Sequence, residues 1–416
     1  MTRLSYSKPP LLSPLSVVLP TDEQTWLLQA CLWSGKRGER AWARWSAGID
    51  DPAGFLRQDK YGVKGLLPLL FDSLQHKDVS IDKEFQTYLR TAYLRDELRS
   101  KSYGRICREV TKTFANAGIP VVVLKGAALA ETAYKTAALQ HAHYLDILIK
   151  SADFEPALEV LAPLGFIRST AVRAGSESQV VELVHESGLP LILYRQLFRV
   201  PFYNVAIEEI WARSGIQAIS GAPTRLLSPA DNLFHICGSV FDVESHESLR
   251  WVCDAWFVIH RYPDLDWEVL LDYSRRSRMA LALYLTLDYV AEALDAPIPV
   301  DVLNRLCAAA SKADSIEREA VLFGVQTNAR GGLKRILQKC GDWPTRVSVL
   351  KWALFPSPSY LRWIHEIGWS WLLPLYYFYR PLRYLVRSAW FSSRRFVRRL
   401  WENLMAARNH AKNLSS

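Results

Sequence analysis

A lysine and a glycine stand directly after a short apolar, β-branched segment. Residues 119–124 (IPVVVL) predict a buried strand, Lys125-Gly126 follows at once, and residues 127–134 predict a helix. The start of a helix offers free backbone N–H groups and partial positive charge, and the ammonium group of Lys125 adds a full charge. Because glycine also lets a ligand approach closely, the pattern predicts a phosphate-binding turn. The alternative is a plain strand-to-helix connection.

A carboxylate stands at the start of the next predicted strand. Asp146 precedes the apolar residues 147–149. A buried carboxylate needs a cation, a hydrogen-bond donor or water. Two interpretations follow: Asp146 binds a metal ion beside the phosphate site, or it is a structural acid that caps a turn or pairs with Lys125 or Lys150.

The elements that must position these residues form a small α/β unit. A long helix over about 82–117 precedes the first strand, and a helix over about 152–164 follows the second. Two apolar runs, 180–185 and 189–197, flank Glu186-Ser187-Gly188 and predict a β-hairpin. Beyond residue 222 the pattern is helical, so the predicted fold is α/β with a largely helical C-terminal half.

We expect four parts in the chain. They are an N-terminal helical segment (1–80), the α/β core (81–222), a helical domain (223–345) and a basic aromatic tail (346–416).

The order of these motifs resembles the polymerase-beta-like nucleotidyltransferase superfamily, above all its large bacterial branch of uncharacterised nucleotidyltransferases. The family pattern of leucine-lysine-glycine, small residues, tyrosine and an acidic strand is matched here by Leu124, Lys125, Gly126, Tyr134 and Asp146. Two later motifs of the helical half are matched by Leu227-Ser228 with Asp231, and by Leu249-Arg250-Trp251 with Asp254.

This resemblance implies a nucleotidyltransferase-like core and metal-dependent transfer of a nucleotidyl group from a nucleoside triphosphate to a hydroxyl or phosphate acceptor. It implies that Lys125 and the Gly126 N–H hold phosphate and that the catalytic Asp146 binds Mg²⁺.

The sequence also departs from the family pattern. The family's aspartate-x-aspartate is Tyr144-Leu145-Asp146 here, its upstream arginine is Gln140, and its third acid and the histidine after it are Ile192 and Tyr194. One of the three expected metal carboxylates is therefore in place, which is a small set for two Mg²⁺ ions.

Two groups of residues could replace the missing ligands. If the hairpin turns about Ser187, Glu182 lies opposite Ile192 and becomes a second catalytic acid. Alternatively, His141 and His143 could join Asp146 in binding a softer metal ion. Histidines in loops are more commonly exposed to solvent, and we favour that interpretation for both.

The charge of the chain is concentrated at its end. The net charge is +9, and residues 351–416 account for all of it with 11 Lys and Arg against two acids. The neutral first 350 residues exclude a protein that binds nucleic acid along its whole length. The six cysteines are dispersed and predict reduced core residues of a cytoplasmic protein.

The basic tail mixes tryptophan, tyrosine and phenylalanine with arginine. Its longest apolar run, 367–379, is too short to span a bilayer. The composition predicts a helix on the anionic inner face of a membrane, with packing on the protein itself or on a partner as the second interpretation and single-stranded nucleic acid as the third. The residues assigned to the membrane surface are Trp369, Trp371, Arg380, Arg383, Arg387, Arg394, Arg395, Arg398 and Arg399.

Two functions from different classes follow. The first is the nucleotidyl transfer that the resemblance implies. The second is a catalytically degenerate relative, a pseudoenzyme that keeps the nucleotide cleft and serves as a membrane-surface adaptor in a polysaccharide or peptide-modification system.

Overall fold

The computed structural model describes residues 12–57, 62–142, 144–169, 180–242, 249–328, 332–365, 367 and 369–383. The chain divides into two compact units, residues 1–345 and 346–416. The first unit contains a seven-stranded sheet with helices before and after it in the chain. The described part of the second unit is helical.

The helices before the sheet begin where the sequence places their caps. Thr21 and Gln24 form a capping box at the start of α2, and the Asp82 side chain accepts the Phe85 N–H at the start of the 34-residue α6. These helices are α1 (Leu12–Leu15), α2 (Asp22–Leu32), α3 (Gly35–Ala47), α4 (Pro52–Arg57), α5 (Leu67–Gln75) and α6 (Lys83–Asn116).

The sheet contains every strand that the sequence predicted and one hairpin that it did not. Its strands are β1 (Val121–Leu124), β2 (Leu145–Ile149), β3 (Phe166–Arg168), β4 (Val180–His185), β5 (Pro190–Tyr194), β6 (Gly215–Ile219) and β7 (Ala222–Leu226). Their spatial order is β3-β4-β5-β2-β1-β7-β6. Helices α7 (Lys125–Thr132), α8 (Phe154–Leu161) and α9 (Ile207–Arg213) connect them.

The unpredicted hairpin is β6–β7. Its turn uses positive φ angles at Ser220 (50°) and Gly221 (76°), the backbone that a tight two-residue hairpin turn requires. Most of β6 is exposed to solvent, so its sequence lacks the apolar pattern from which a strand could be predicted.

The register brings four residues into one row across the sheet. Leu124 lies opposite Asp146 in an antiparallel pair, and Asp146 lies opposite Ile192 in a parallel pair. Ile192 in turn lies opposite Glu182 in the β4–β5 hairpin. Directly opposed residues point to the same side of a sheet, so all four share one face.

The other face of the sheet is the apolar core of the α/β unit. The alternate residues of β1, β2, β4 and β5, among them Val123, Ile147 and Leu193, pack against α6 and α8. Phe114 of α6 and Phe154 of α8 are almost fully buried there. This packing fixes the strands and leaves the row with Asp146 on the opposite face.

The helical half of the first unit begins with α10. Ser228 caps this helix, and the Asp231 carboxylate, which is fully buried, accepts hydrogen bonds from the Arg213 guanidinium at 3.0 and 3.2 Å. The helices are α10 (Pro229–Ser239), α11 (Arg250–Arg261), α12 (Trp267–Arg276), α13 (Ala280–Leu294), α14 (Val300–Ser311), α15 (Ser315–Asn328) and α16 (Gly332–Lys339). All six cysteines are free and buried, as the sequence predicted.

The second unit contains most of α17 (Trp343–Leu354), α18 (Pro358–His365) and a helix over residues 373–383. One side of the last helix is hydrogen-bonded to the rest of the unit. The Tyr377 hydroxyl donates to the Pro356 carbonyl at 2.8 Å, and Arg380 Nε donates to the Ala353 carbonyl at 2.7 Å.

Candidate functional site

Lys125 occupies the turn between β1 and α7. Its backbone has φ 47°, a left-handed conformation that a residue with a Cβ adopts at a cost. Its ammonium lies 5.3 Å from the centroid of the Tyr194 ring. Within the described ranges the structure gives Lys125 no ion pair or hydrogen bond through its side chain, and no side chain caps the start of α7. A half-buried cation thus stands at the helix start, in contact with an aromatic ring but without a hydrogen-bond acceptor among these residues.

Gly126 is needed for packing. A Cβ at this position would lie 3.0 Å from Gln140 Oε1 and 3.1 Å from the Ala142 Cβ, so the loop before β2 fills the space that a side chain would take. The close approach of a ligand at Gly126, predicted from the sequence, stays a prediction, because this packing does not test it. What Gly126 can still offer a ligand is its backbone N–H in the first turn of α7.

Asp146 lies buried in β2 at 6 % exposure, on the face opposite the apolar core. The buried Tyr194 phenol lies close enough to this carboxylate to feel its charge. Burial, followed by the charge of Asp146, raises the pKa of Tyr194 well above its ordinary value, so this hydroxyl keeps its proton. Tyr194 therefore lies between the two proposed site residues, because its ring is in contact with Lys125 and its phenol is affected by the charge of Asp146.

The hairpin register is the one that the sequence predicted. Glu182 pairs with Ile192 and points to the same side of the sheet as Asp146. The two acids are two strand spacings apart, which is about 10 Å between their Cα atoms. The pKa of the Tyr144 phenol is raised, chiefly by burial and next by the negative charges of Glu182 and Asp146.

The donor set around Asp146 does not fit two metal ions. In the described ranges, no three His, Cys, Asp or Glu side chains come together as a metal site. Ile192 separates the two acids, and Tyr144 is a phenol held in its protonated form. One Mg²⁺ does fit, because Mg²⁺ is commonly bound by one or two carboxylates together with substrate phosphates and water.

A buried polar cluster lies behind Gly126. The Tyr134 hydroxyl donates to Asp254 Oδ1 at 2.5 Å, and Gln140 Nε2 donates to the same carboxylate at 3.3 Å. Gln140 stands where the resemblance places an arginine, so an amide hydrogen bond replaces an ion pair here. The Asp254 carboxylate thereby joins α11 to the turn after α7 and to the loop before β2.

His235 of α10 is a member of the site that the sequence analysis missed. The ring is 1 % exposed, and its Nε2 has no hydrogen-bond partner among the described residues. Burial and the charge of Lys125 lower the pKa of His235 well below its ordinary value, so the ring is neutral. No sequence pattern marks it, because a histidine inside an apolar helix looks like a core residue until the fold brings Lys125 to it.

The structure describes one of the two histidines, His141, and this one is buried. His141 is 5 % exposed, and its Nδ1 lies 2.6 Å from Asp96 Oδ2 on α6, so the prediction of a solvent-exposed residue is wrong for His141. The physical reason is the long helix α6, which packs over the loop before β2 and supplies a carboxylate from 45 residues away. His143 lies outside the described residues.

The residues predicted to meet a membrane divide into three groups. Trp369 and Trp371 are exposed at 68 % and 67 %, and Arg383 is exposed as well. Arg380 is buried: its guanidinium lies 5.3 Å from the Tyr360 ring centroid and its Nε binds a backbone carbonyl, so it is not part of an outer surface. The remaining residues lie outside the described part of the chain: Arg387, Arg394, Arg395, Arg398 and Arg399.

The mixed sheet, the Lys-Gly turn and the acid on the adjacent strand define a nucleotidyltransferase-like core. The model of a family described as uncharacterised nucleotidyltransferase matches residues 62–295, more than half of the chain. The chain belongs to this family, which gives it the general function of a nucleotidyltransferase. No curated protein and no solved structure matches the chain.

None of the helices in the described ranges combines the length and the hydropathy that crossing a bilayer requires.

Proposed function

We propose that the chain binds a nucleoside triphosphate at the turn between β1 and α7 and transfers the nucleotidyl group to a hydroxyl or phosphate acceptor. The observation that carries this proposal is Lys125. Its half-buried ammonium forms no ion pair or side-chain hydrogen bond with the described residues and stands at the uncapped start of a helix. A phosphate group could pair with the ammonium and, at the same time, accept hydrogen bonds from the backbone N–H groups at the start of the helix.

Each site residue has one role in this proposal. Lys125 and the Gly126 N–H bind phosphate oxygens, and Asp146 supplies one carboxylate to a single Mg²⁺ carried by the triphosphate. When bound, this ion would neutralise part of the triphosphate charge. Glu182 is the other carboxylate on this face, and its distance from Asp146 suits separate roles better than a shared ion.

The test is the melting temperature of the full chain with ATP, GTP, CTP or UTP, each with and without Mg²⁺. We expect one nucleotide to raise it in the presence of Mg²⁺. Asp146→Asn should remove the part of the shift that depends on Mg²⁺, and Lys125→Gln should remove most of the whole shift.

Two surface residues provide matched controls. Lys150 matches Lys125 because its ammonium also lies over an aromatic ring, 5.6 Å from the centroid of the Trp211 ring. Asp153 is the control for Asp146, and its side chain makes no capping hydrogen bond at the start of α8. Lys150→Gln and Asp153→Asn should respond to nucleotide like the wild type. If no nucleotide shifts the melting temperature, or if Lys125→Gln responds like the wild type, the proposal is wrong.

The second candidate function is nucleotide binding without transfer, as in a pseudoenzyme adaptor. The specific observation in its favour is the pair Tyr144 and Ile192, a protonated phenol and an apolar side chain at the two positions where the resemblance places metal carboxylates. A nucleotide shift that does not depend on Mg²⁺ and survives Asp146→Asn would favour this function. Release of pyrophosphate from the bound nucleotide would favour transfer.

A further inference from the structure

The helix over residues 373–383 presents an apolar face to solvent. Leu375, Phe378, Tyr379 and Leu382 are exposed at 62 %, 81 %, 48 % and 60 %. Their spacing of three and four residues places them along one side of the helix. Trp371 lies one turn earlier, and its ring is 6.5 Å from that of Trp369.

This surface is large for a soluble chain. A fully exposed aromatic side chain presents about 200 Å², so the four aromatic residues alone expose about 500 Å². The largest apolar patch on a typical monomer is about 300–600 Å² and is commonly functional. With the two leucines added, the face exceeds what a surface without a partner usually carries. We call the six residues the aromatic face: Trp369, Trp371, Leu375, Phe378, Tyr379 and Leu382.

The opposite side of the same helix fixes this orientation. Tyr377 and Arg380 bind backbone carbonyls near the end of α17 and just after it, and the Tyr376 ring lies 4.6 Å from the His365 ring of α18. The helix is therefore held to its own unit by one side. The aromatic face is turned away from those contacts.

We propose that the aromatic face docks in the plane of an anionic lipid bilayer. Charge complementarity selects this partner. The exposed Arg383 ends the described part of the helix, and the sequence after it contains seven further Arg and Lys against one acid. Anionic headgroups attract such a segment, and tryptophan and tyrosine rings prefer the boundary between headgroups and acyl chains.

The aromatic face and the basic residues play different parts in this docking. The apolar side chains enter the boundary region of any bilayer, and the basic residues select anionic lipid. The buried Arg380 contributes to neither, because its guanidinium is used inside the unit. Binding should therefore weaken at high salt without being lost.

The test is flotation of the full chain with vesicles of phosphatidylcholine alone and of phosphatidylcholine with 30 % phosphatidylserine. We expect binding to the anionic vesicles and much weaker binding to the neutral ones. The double substitution Phe378→Glu with Leu382→Glu should reduce binding at least tenfold, and Arg383→Gln should reduce it about fivefold, which corresponds to about 1 kcal/mol per basic residue.

The matched control is Leu98→Glu, which changes an equally exposed leucine (67 %) on the helix α6 of the first unit. It should bind vesicles like the wild type. Equal binding of the wild type and the double variant to anionic vesicles would overturn the proposal. The absence of vesicle binding would also overturn it. In that case, binding of a single-stranded oligonucleotide, or a dimer seen in sedimentation, that the double variant loses would assign the aromatic face to that other partner.

Discussion

Substituting Lys125 by glycine and, separately, by alanine tests the backbone and the proposed phosphate contact in one experiment. Both substitutions remove the ammonium and its contact with the Tyr194 ring. They differ only in the Cβ, at a position where φ is 47°. The pair therefore isolates the cost of a left-handed residue from every effect of the lysine side chain.

The expected difference in stability has an unusual sign. A residue with a Cβ in the left-handed region costs about 1–2 kcal/mol, and glycine loses about 0.5–1 kcal/mol more entropy on folding. The Lys125→Gly protein should therefore be more stable than Lys125→Ala by about 0.75 kcal/mol, within a range of about 0–1.5 kcal/mol. In an ordinary helix position glycine is about 1 kcal/mol less favourable than alanine. Ala130→Gly, within the same helix, should show that ordinary sign.

The loss of the ammonium should have the same effect in both variants. At a nucleotide concentration of 100 times the dissociation constant, the ligand stabilises the folded chain by about 2.7 kcal/mol. Removing a hydrogen bond to a charged group costs about 1.5–3 kcal/mol. The nucleotide should then stabilise either variant by only about 0.3–1.3 kcal/mol.

The assay is urea unfolding at 25 °C, with and without the nucleotide that binds best, and each outcome addresses one step. If Lys125→Ala is as stable as Lys125→Gly, the turn does not hold a left-handed residue. If Lys125→Gly keeps the full response to nucleotide, the ammonium does not bind the phosphate. The two failures are independent, because the first concerns the free chain and the second concerns its complex.

Three further predictions concern buried groups. Tyr134→Phe removes the 2.5 Å hydrogen bond to the buried Asp254 and should lower the free energy of unfolding by about 2–3 kcal/mol, measured by urea titration; a loss below about 0.5 kcal/mol would contradict that geometry. Burial raises the pKa of Glu317 from 4.5 to about 7, so the folded chain binds the extra proton and stability falls as pH rises from 4.5 to 7, by about 3 kcal/mol from this group. Glu317→Gln keeps an acceptor for the Leu281 N–H and should therefore be more stable than the wild type at pH 8 and similar to it at pH 4.5; the reverse order would show that the carboxylate is ionised without cost. The six buried thiols should not react with a disulfide reagent until the chain unfolds, and a rapid reaction in the native protein would mean that one of them is accessible.

The strands and their register could be predicted because both depend on local patterns. Residues 121–124 and 145–149 are buried throughout, and continuous apolar runs of this length indicate central strands. The hairpin register followed from the turn at Ser187, which is how Glu182 was placed opposite Ile192. Alternation along a strand also puts residues 144 and 146 on one side of the chain, so the proximity of Tyr144 to Asp146 was available from the sequence.

The contacts between distant segments could not be predicted. The buried His141 lies within hydrogen-bond distance of Asp96, which is 45 residues earlier in the chain. The residues around each of them contain no pattern from which this contact could be predicted. Asp254 meets Tyr134 across 120 residues for the same reason. The tight approach of Gln140 Oε1 to Gly126 is a third such contact, and it could not be predicted from the residues around the glycine.

If the proposed function is correct, the charges of the site would allow a triphosphate to bind with fewer carboxylates than the family pattern contains. Three carboxylates attract two Mg²⁺ ions, and without these ions they would repel a phosphate. Here a phenol and an isoleucine stand at two of these positions, and Lys125 adds a positive charge. Hydroxyl and ammonium groups bind phosphate oxygens directly, so in the proposed function one Mg²⁺ or none would suffice for binding. On this proposal, the missing acids would weaken the activation of an acceptor hydroxyl far more than they would weaken nucleotide binding.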